Sequence, residues 1–533
     1  MTTDGGRTPP RDQGAGERSR RTRTTAALAT VVVLSLVGTA VMILVSSHGV
    51  HTTPDSFTYL GAAESVARGE GWTYPFGEVG SPVTLFPPLY PVVLSIPELL
   101  GVDVFEWVTW QNALLLTVLS VAVGASVATA TGGSIPASAL AVTLTHLGTP
   151  TIVTYARIWS ESIFFPLVVG VLVVLGRFLA TWRTPWLLGA AVLTSVSMLT
   201  RYAGLSVFLT CCVLLLVVRV RPLPERARAI AIYVGIALAP SALWLVRNHV
   251  RSGTLTGDNE LIHSLSFADV ADGVRTIGSW VTGDPTDAGT GWAAVTLAVS
   301  AVVVAVVLAV RSVRRDRAGA IAVPAVVATS SAFVVVHFAF IAVANAFSTR
   351  APPFNDRILG PAFAPLVIAI TVTGQRLWVA FRPALIPRIA LVAAACALVG
   401  SSLLTATDAF PSHYGSPANT KDAFGDLSRA LAAELDRGSV LLSNRPNIAW
   451  YVTGEPVAGL PRSCRGGRIL PNPDYRGELR ALSERLGDQP RQVLIFRNSK
   501  ECDPYSLDGL KRMLLLERRA RLAQVVVLEG PPR

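Results

Sequence analysis

Residues 18–45 read RSRRTRTTAALATVVVLSLVGTAVMILV, a basic cluster followed by an uncharged, apolar run from Thr25 to Val45. A helix that crosses a membrane needs about 20 such residues, whereas the apolar core of a signal peptide has about 7–15. The run is longer than that core and has no convincing cleavage site. We therefore predict a retained first membrane helix, preceded by a disordered cytoplasmic segment, 1–24, that is rich in Gly, Pro and Arg.

The rest of the chain repeats this apolar pattern. Of its 533 residues, 51% are hydrophobic and only 15% are charged, whereas an average soluble domain has about 25% charged residues. This composition predicts an α-helical membrane protein with many spans. Ten further apolar segments follow the first helix, near 107–130, 135–154, 161–181, 186–199, 204–218, 229–247, 292–310, 320–344, 358–374 and 389–405.

The arginines in the short connections indicate which way the helices run, because basic residues mark the cytoplasmic side. With the N-terminus inside, the clusters at 219–228, 311–317 and 376–388 all lie in the cytoplasm. Reading 186–218 as one kinked span would place the second of these clusters outside. The charge pattern therefore favours eleven spans with the C-terminus outside. Three outer segments result, namely the loop 48–106, the loop 248–291 and the region 406–533.

The region 406–533 is too polar to span a membrane, and its apolar residues alternate between helical and strand periods. We predict a small α/β domain outside the membrane. Its elements are helices near 420–437, 474–487 and 506–520 and strands at 439–443, 492–496 and 523–528.

The formal net charge of +11 raises the question of an acidic partner. Binding of nucleic acid would require a basic patch on a soluble domain, but most arginines before the C-terminal region lie in the predicted cytoplasmic connections. The charge is therefore explained by membrane topology, and no nucleic acid partner is predicted.

The first outer loop begins with HTTPDSFTY at 51–59 and continues to the segment FPPLYP at 86–91. Asp55 follows a proline and precedes a helical pattern, so capping of a helix N-terminus is the ordinary role for it. A carboxylate held just outside the bilayer is also suited to act as a general base on an acceptor hydroxyl. The two roles are compatible.

An Asp soon after the first membrane helix, a Tyr four residues later and a PPLYP segment before the second helix resemble the GT-C superfamily of integral-membrane glycosyltransferases. The branch with protein O-mannosyltransferases and aminoarabinose transferases is the most similar. The resemblance covers most of 25–405, the predicted transmembrane domain. Its further motifs are WSE at 159–161, LTRYAG at 199–204, WLVRN at 244–248 and DRILGP at 356–361. It implies a sugar donor linked to polyprenyl phosphate and an acceptor, a glycan, lipid or protein, outside the cytoplasmic membrane.

Several ionisable residues fall on the outer side in this topology. Each one alone could be a simple anchor at a helix end, but charges that cannot face lipid converge on the interior of a helix bundle. Arginine suits phosphate because its planar fork donates two hydrogen bonds at once. We therefore expect Arg201, Arg247 and Arg357 to hold the lipid phosphate, with Asp55 as the base. The residues expected to orient the substrates are Glu161, Tyr59, Asn248 and Tyr202.

No cofactor is predicted. The first outer loop contains no DxD motif, so an arginine-based phosphate site is favoured over a metal site, although a divalent cation bridging Asp55 and Glu161 is an alternative. Among the five cysteines, Cys464 and Cys502 lie in the polar C-terminal region, where an extracytoplasmic location would permit a disulfide.

Two other classes of function fit a polytopic membrane protein. A transporter or lipid flippase is disfavoured by the absence of internal repeats and by the long outer segments. An envelope assembly protein without activity is disfavoured by the presence of Asp55. For an enzyme, both mannose and arabinofuranose are candidate sugars, and the sequence specifies neither the acceptor nor the oligomeric state.

Overall fold

Helices joined by short connections make up most of the chain. The structure is a computed structural model that describes residues 13–46, 49–219, 221–257, 266–282, 325–347, 354–382, 384–413, 420–436, 438–461, 464–465, 470–496, 510–511, 514, 516–522 and 525–530. In chain order the helices are α1 (Gln13–Val45), α2 (Pro54–Ala67), α3 (Leu89–Leu100), α4 (Val104–Ala130), α5 (Ile135–Leu147), α6 (Thr149–Tyr155), α7 (Glu161–Thr181), α8 (Thr184–Thr200), α9 (Gly204–Val217), α10 (Leu223–Ser252), α11 (Phe267–Thr282), α12 (Ala325–Phe347), α13 (Asp356–Leu359), α14 (Phe363–Ala380), α15 (Leu385–His413), α16 (Lys421–Ala432), α17 (Pro446–Thr453) and α18 (Tyr475–Leu486).

Within the described residues, 7 helical segments are long and apolar enough to cross a membrane: α1, α4, α7, α10, α12, α13 together with α14, and α15. Helices α3, α5, α8 and α9 are apolar but shorter. The prediction of an α-helical polytopic membrane protein is confirmed. The predicted number of eleven spans is not reproduced, because three predicted spans correspond to shorter helices and the predicted span 292–310 lies outside the described residues.

The break between α8 and α9 falls where the sequence places it. Arg201 has an extended backbone, with φ −150° and ψ 140°, so the first helix ends before it. Gly204 then starts α9 so close to the preceding helix that a Cβ atom would lie 2.6 Å from the backbone nitrogen of Met198. The segment 186–218 is therefore two helices, and Arg201 lies in the short connection between them.

Three helices extend beyond the predicted boundaries. Helix α1 begins at Gln13, so residues 13–24, which were predicted to be disordered, are helical. They contain no proline, and Glu17 pairs with Arg21 one turn later at 2.7 Å. Helix α11 lies within the predicted loop 248–291, and α15 runs to His413 instead of ending at 405. Hydropathy defined these boundaries, and it does not detect helical turns made of polar residues.

The C-terminal region forms a six-stranded sheet in the order β1-β3-β2-β6-β8-β7. The strands are β1 (Phe76–Gly77), β2 (Val440–Ser443), β3 (Val457–Gly459), β6 (Arg491–Phe496), β7 (Glu517–Arg521) and β8 (Val525–Glu529), and a separate pair comprises β4 (Cys464–Arg465) and β5 (Leu470–Pro471). Strand β1 belongs to the loop 48–106 and pairs in parallel with β3, with Phe76 opposite Val457. The loop and the C-terminal region therefore share one sheet.

One predicted element of this region is wrong. The sequence predicts a helix near 506–520, but 517–521 form β7, which pairs antiparallel with β8. Because Val525, Val526, Val527 and Leu528 are buried, the backbone of β8 needs hydrogen-bonding partners on both sides, and β6 and β7 supply them. The remaining predicted helices and strands of the region correspond to α16, α18, β2, β6 and β8.

Helix α2 packs against the C-terminal region as well as the membrane helices. The ring of Phe57 lies 5.2 Å from that of Phe424 in an edge-on contact. The side chain of Asn447, in α17, donates a hydrogen bond of 2.9 Å to the carbonyl oxygen of Pro54. The first turn of α2, which carries Asp55, is thus held from the side of the sheet.

Candidate active site

The first turn of α2 leaves the carboxylate of Asp55 available. Thr53 is the N-cap, Pro54 takes the first helical position and Asp55 the second; Thr and Pro are common at these two positions. The backbone N–H of Thr53 donates to the hydroxyl of Ser56 at 2.9 Å. Asp55 is therefore not the N-cap, and its side chain points to another partner.

That partner is Arg357, which bridges two carboxylates. Its Nη1 lies 2.6 Å from Oδ2 of Asp55, and its Nε lies 2.5 Å from Oε1 of Glu161. The other oxygen of Glu161, Oε2, lies 2.7 Å from Nη1 of Arg201. We call these four residues the ionic cluster. Its two positive and two negative charges balance.

The four side chains meet because each is placed at the end of a helix. Glu161 is the first residue of α7, where a negative charge is favourable, and Arg201 caps the C-terminus of α8. Arg357 is the second residue of the short helix α13. The Glu161 side chain has no exposed surface, whereas the Asp55 side chain is 34% exposed. Asp55 is therefore the member of the cluster that a substrate reaches most easily.

A second layer of hydrogen bonds supports the cluster. The hydroxyl of Ser160 accepts from Nη1 of Arg201 at 2.9 Å and lies 3.0 Å from the hydroxyl of Tyr59. Tyr59 is only 1% exposed, and burial raises its pKa well above the ordinary value, so it remains a neutral phenol. The residue predicted to orient a substrate thus contacts the protein itself, behind Asp55.

The sequence analysis did not assign a role to Trp159, although it lies in the WSE motif. The guanidinium of Arg357 is stacked over its ring, 4.3 Å from the centroid. Its indole N–H donates a 2.8 Å hydrogen bond to the hydroxyl of Thr53. No signal in the local sequence indicates these contacts, because both partners are distant along the chain.

Three of the predicted site residues form a separate group. Arg247 donates from Nη1 to the carbonyl oxygen of Val83 at 2.6 Å and from Nη2 to that of Trp72 at 2.9 Å. Asn248 donates to the hydroxyl of Tyr202 at 3.3 Å. Arg247, Asn248 and Tyr202 thus bind each other and the loop 48–106, whereas Arg201 and Arg357 belong to the ionic cluster.

The guanidinium of Arg357 occupies the position between Asp55 and Glu161 where the sequence allowed a divalent cation as an alternative. Within the described ranges, no three His, Cys, Asp or Glu side chains come together in a way that could hold a metal ion. The predicted disulfide cannot be placed, because Cys502 lies outside the described residues.

Comparison with known proteins defines the class of fold. No protein-family model matches the chain, and no curated protein sequence matches it. Among solved structures, the chain has the fold of the GT-C superfamily of membrane glycosyltransferases, as the sequence motifs imply.

Particular structures with this fold include ArnT from Cupriavidus metallidurans. The apo form is 15% identical, with a TM-score of 0.61 over 95% of this chain and 100% of that one. The form bound to undecaprenyl phosphate is 14% identical, with a TM-score of 0.59 over 94% and 99% of the two chains. The arabinofuranosyltransferase AftD from Mycobacteria is 15% identical, with a TM-score of 0.55 over 95% of this chain but only 41% of its own length.

Proposed function

We propose that this protein is a membrane glycosyltransferase that moves a sugar from a polyprenyl-phosphate donor to an acceptor in the cell envelope. The observation that carries the proposal is the ionic cluster, in which a partly exposed carboxylate and two arginines meet within a GT-C fold. A structure with the same fold, ArnT, binds undecaprenyl phosphate, and another, AftD, is an arabinofuranosyltransferase. Both names support the same kind of reaction.

The proposed reaction is a single displacement at the anomeric carbon of the sugar. Asp55 takes the proton of the acceptor hydroxyl while the hydroxyl oxygen bonds to that carbon. The bond from the carbon to the phosphate oxygen breaks, and polyprenyl phosphate leaves with the electron pair. One displacement inverts the configuration at the carbon.

The balance of charge in the cluster suits this step. During transfer the phosphate gains a negative charge as it leaves, and Asp55 loses one when it takes the proton. Arg357 lies 2.6 Å from Asp55 and, in the proposal, turns its hydrogen bonds toward the phosphate as its pairing with Asp55 weakens. The total charge of cluster and donor stays constant, and the new charge develops beside a guanidinium.

Glu161 and Arg201 have supporting parts in this scheme. Glu161 is buried and accepts from both arginines, so it holds their guanidinium groups in fixed positions, which is the orienting role. Arg201 is the second phosphate ligand. Arg247 was expected to be a third, but it uses Nη1 and Nη2 for carbonyl oxygens of the loop, and we infer that it fixes the loop that covers the donor.

We propose that the ionic cluster and the C-terminal region lie outside the cytoplasmic membrane, with the N-terminus inside. The basic connection between α9 and α10, with Arg219 and Arg221, lies at the opposite ends of these helices from the Arg201 connection and from Arg247. Because positive residues mark the cytoplasmic side, this placement supports an extracytoplasmic site. The sheet shared by the loop 48–106 and the C-terminal region puts both on the same side.

The test uses the purified full-length chain in lipid nanodiscs, with undecaprenyl-phosphate-linked mannose and arabinofuranose as labelled donors and envelope extract as the source of acceptor. We expect one donor to be consumed with release of undecaprenyl phosphate. The matched control for Asp55→Asn is Asp426→Asn, which neutralises an exposed carboxylate of α16 that pairs only with Arg429. Movement of intact donor between leaflets without cleavage would instead support the transporter hypothesis.

A further inference from the structure

Trp159 contacts both halves of the proposed catalytic pair, and we propose that it is a positioning residue that sets the distance between Asp55 and Arg357. The inference rests on the proposed function. It assigns to Trp159 no contact with the sugar or the lipid. Trp159 acts through its neighbours, by one contact on each side of the pair.

The first contact fixes the helix that carries Asp55. The indole N–H of Trp159 donates to the hydroxyl of Thr53 at 2.8 Å, and Thr53 is the N-cap two residues before Asp55. The same turn is tied to the neighbouring chain a second time, because Ser56 donates from its hydroxyl to the carbonyl oxygen of Ile158 at 3.0 Å. The 158–159 segment therefore forms the support on which the start of α2 rests.

That support is itself rigid. The backbone N–H of His51 donates to the carbonyl oxygen of Ala156 at 2.8 Å, and the N–H of Ile158 donates to that of His51 at 3.1 Å. These two bonds join the strand before α2 to the connection before α7. Trp159 is only 6% exposed, so its ring has little freedom to move away from Thr53.

The second contact fixes the guanidinium of Arg357 from its face, 4.3 Å from the ring centroid. Asp55 and Glu161 hold the same guanidinium by its edge, through Nη1 and Nε. The stacking contact does not depend on the charge of Asp55. When Asp55 takes the acceptor proton and its pairing weakens, the indole and Glu161 keep Arg357 in place for the leaving phosphate.

Two substitutions of Trp159 separate the contacts. Trp159→Phe keeps a ring face and removes the N–H, while Trp159→Leu removes both. Thr53→Val removes the acceptor of the same hydrogen bond from the other side. Loss of one such bond corresponds to about a 5-fold to 10-fold effect on rate, and loss of a desolvated cation–π contact corresponds to about 5-fold to 30-fold in affinity.

The experiment measures kcat with the donor that the wild type consumes and Kd for undecaprenyl phosphate, in nanodiscs. We expect Trp159→Phe and Thr53→Val each to lower kcat by about 5-fold to 10-fold, with Kd within about 2-fold of wild type. The double variant should lose no more than either single variant, because both remove the same bond. Trp159→Leu should in addition raise Kd by about 5-fold to 30-fold.

The matched control is Trp378→Phe, because Trp378 has the same kind of contact, with the guanidinium of Arg388 4.0 Å from its centroid, at the opposite end of α14 from Arg357. It should leave kcat and Kd unchanged. Unchanged kcat in Thr53→Val, or additive losses in the double variant, would overturn the inference even where Trp159→Phe fails to fold. Absence of donor turnover and of undecaprenyl phosphate binding in the wild type would refute the proposed function instead.

Discussion

Glu161 is the most buried charge of the site, and Glu161→Gln separates its structural role from the chemistry. Its side chain has no exposed surface and pairs with Arg357 at 2.5 Å and with Arg201 at 2.7 Å. Removing one partner from a buried pair costs about 3–5 kcal/mol. The two arginines retain 20% and 16% exposure, so water compensates in part, and we expect the free energy of unfolding to fall by about 3 kcal/mol.

The same substitution changes the charge of the cluster from balanced to +1. An additional net charge about 8 Å from a phosphate contributes about 2 kcal/mol at an effective dielectric constant of about 20. Undecaprenyl phosphate should therefore bind at least as tightly as to wild type, by up to about 30-fold, while turnover falls because the arginines lose their common anchor.

Asp55→Asn is the internal comparison, since it adds the same charge at a side chain that is 34% exposed. It should also preserve or tighten phosphate binding, but with a loss of stability below about 1 kcal/mol. Equilibrium binding in nanodiscs and denaturant titration in detergent give the two quantities. Weaker phosphate binding in both variants would refute the idea that the arginines of the cluster receive the phosphate.

Three further predictions concern the arginines and the contact of the C-terminal region. Arg357→Lys should lower turnover by about 10-fold or more, because a single ammonium cannot reproduce the planar fork, and assays with the donor consumed by wild type test this. Arg247→Met should expose the loop around Trp72 to protease while Kd for undecaprenyl phosphate changes less than about 2-fold, since only carbonyl contacts are lost; an increase in Kd of about 10-fold would restore Arg247 as a phosphate ligand. Partial burial would raise the pKa of Asp103, but hydrogen bonds from Lys421, at 2.6 Å, and from two backbone N–H groups lower it overall. Its stabilising contribution is thus present above its unfolded pKa of about 4 and is lost as the pH falls through the lower folded value, and Lys421→Met should flatten that acid limb in hydrogen exchange of α16.

The sequence predicts the ionic cluster because two independent constraints act on it. The basic connections place Asp55, Glu161, Arg201 and Arg357 on one side of the membrane, and charges at that depth avoid lipid. Arg247 satisfies the same constraints, but its partners are backbone carbonyl oxygens, which have no sequence signature. Proximity along the membrane normal is therefore predictable, whereas the choice of partner at that level is not.

Other features of the structure depend on contacts between distant parts of the chain. Strand β1 has only two residues, too few for a periodic pattern, and it forms because β3 offers an open edge. The role of Trp159 likewise requires Thr53 on one side and Arg357 on the other. Helical stretches without strong hydropathy, such as residues 13–24 and α11, were missed because apolar content and not capping or breaker residues defined the predicted spans.

The measurement that tests the central claim most directly is donor cleavage by the purified wild-type chain and by Asp55→Asn, with undecaprenyl-phosphate-linked mannose and arabinofuranose in parallel. The account predicts release of undecaprenyl phosphate from one of the two donors by the wild type. It predicts a loss of at least about 100-fold for Asp55→Asn, with binding of undecaprenyl phosphate retained and Asp426→Asn fully active. Cleavage at the wild-type rate by Asp55→Asn would contradict the assignment of the base, and intact donors in every reaction, despite bound undecaprenyl phosphate, would contradict transfer of these sugars.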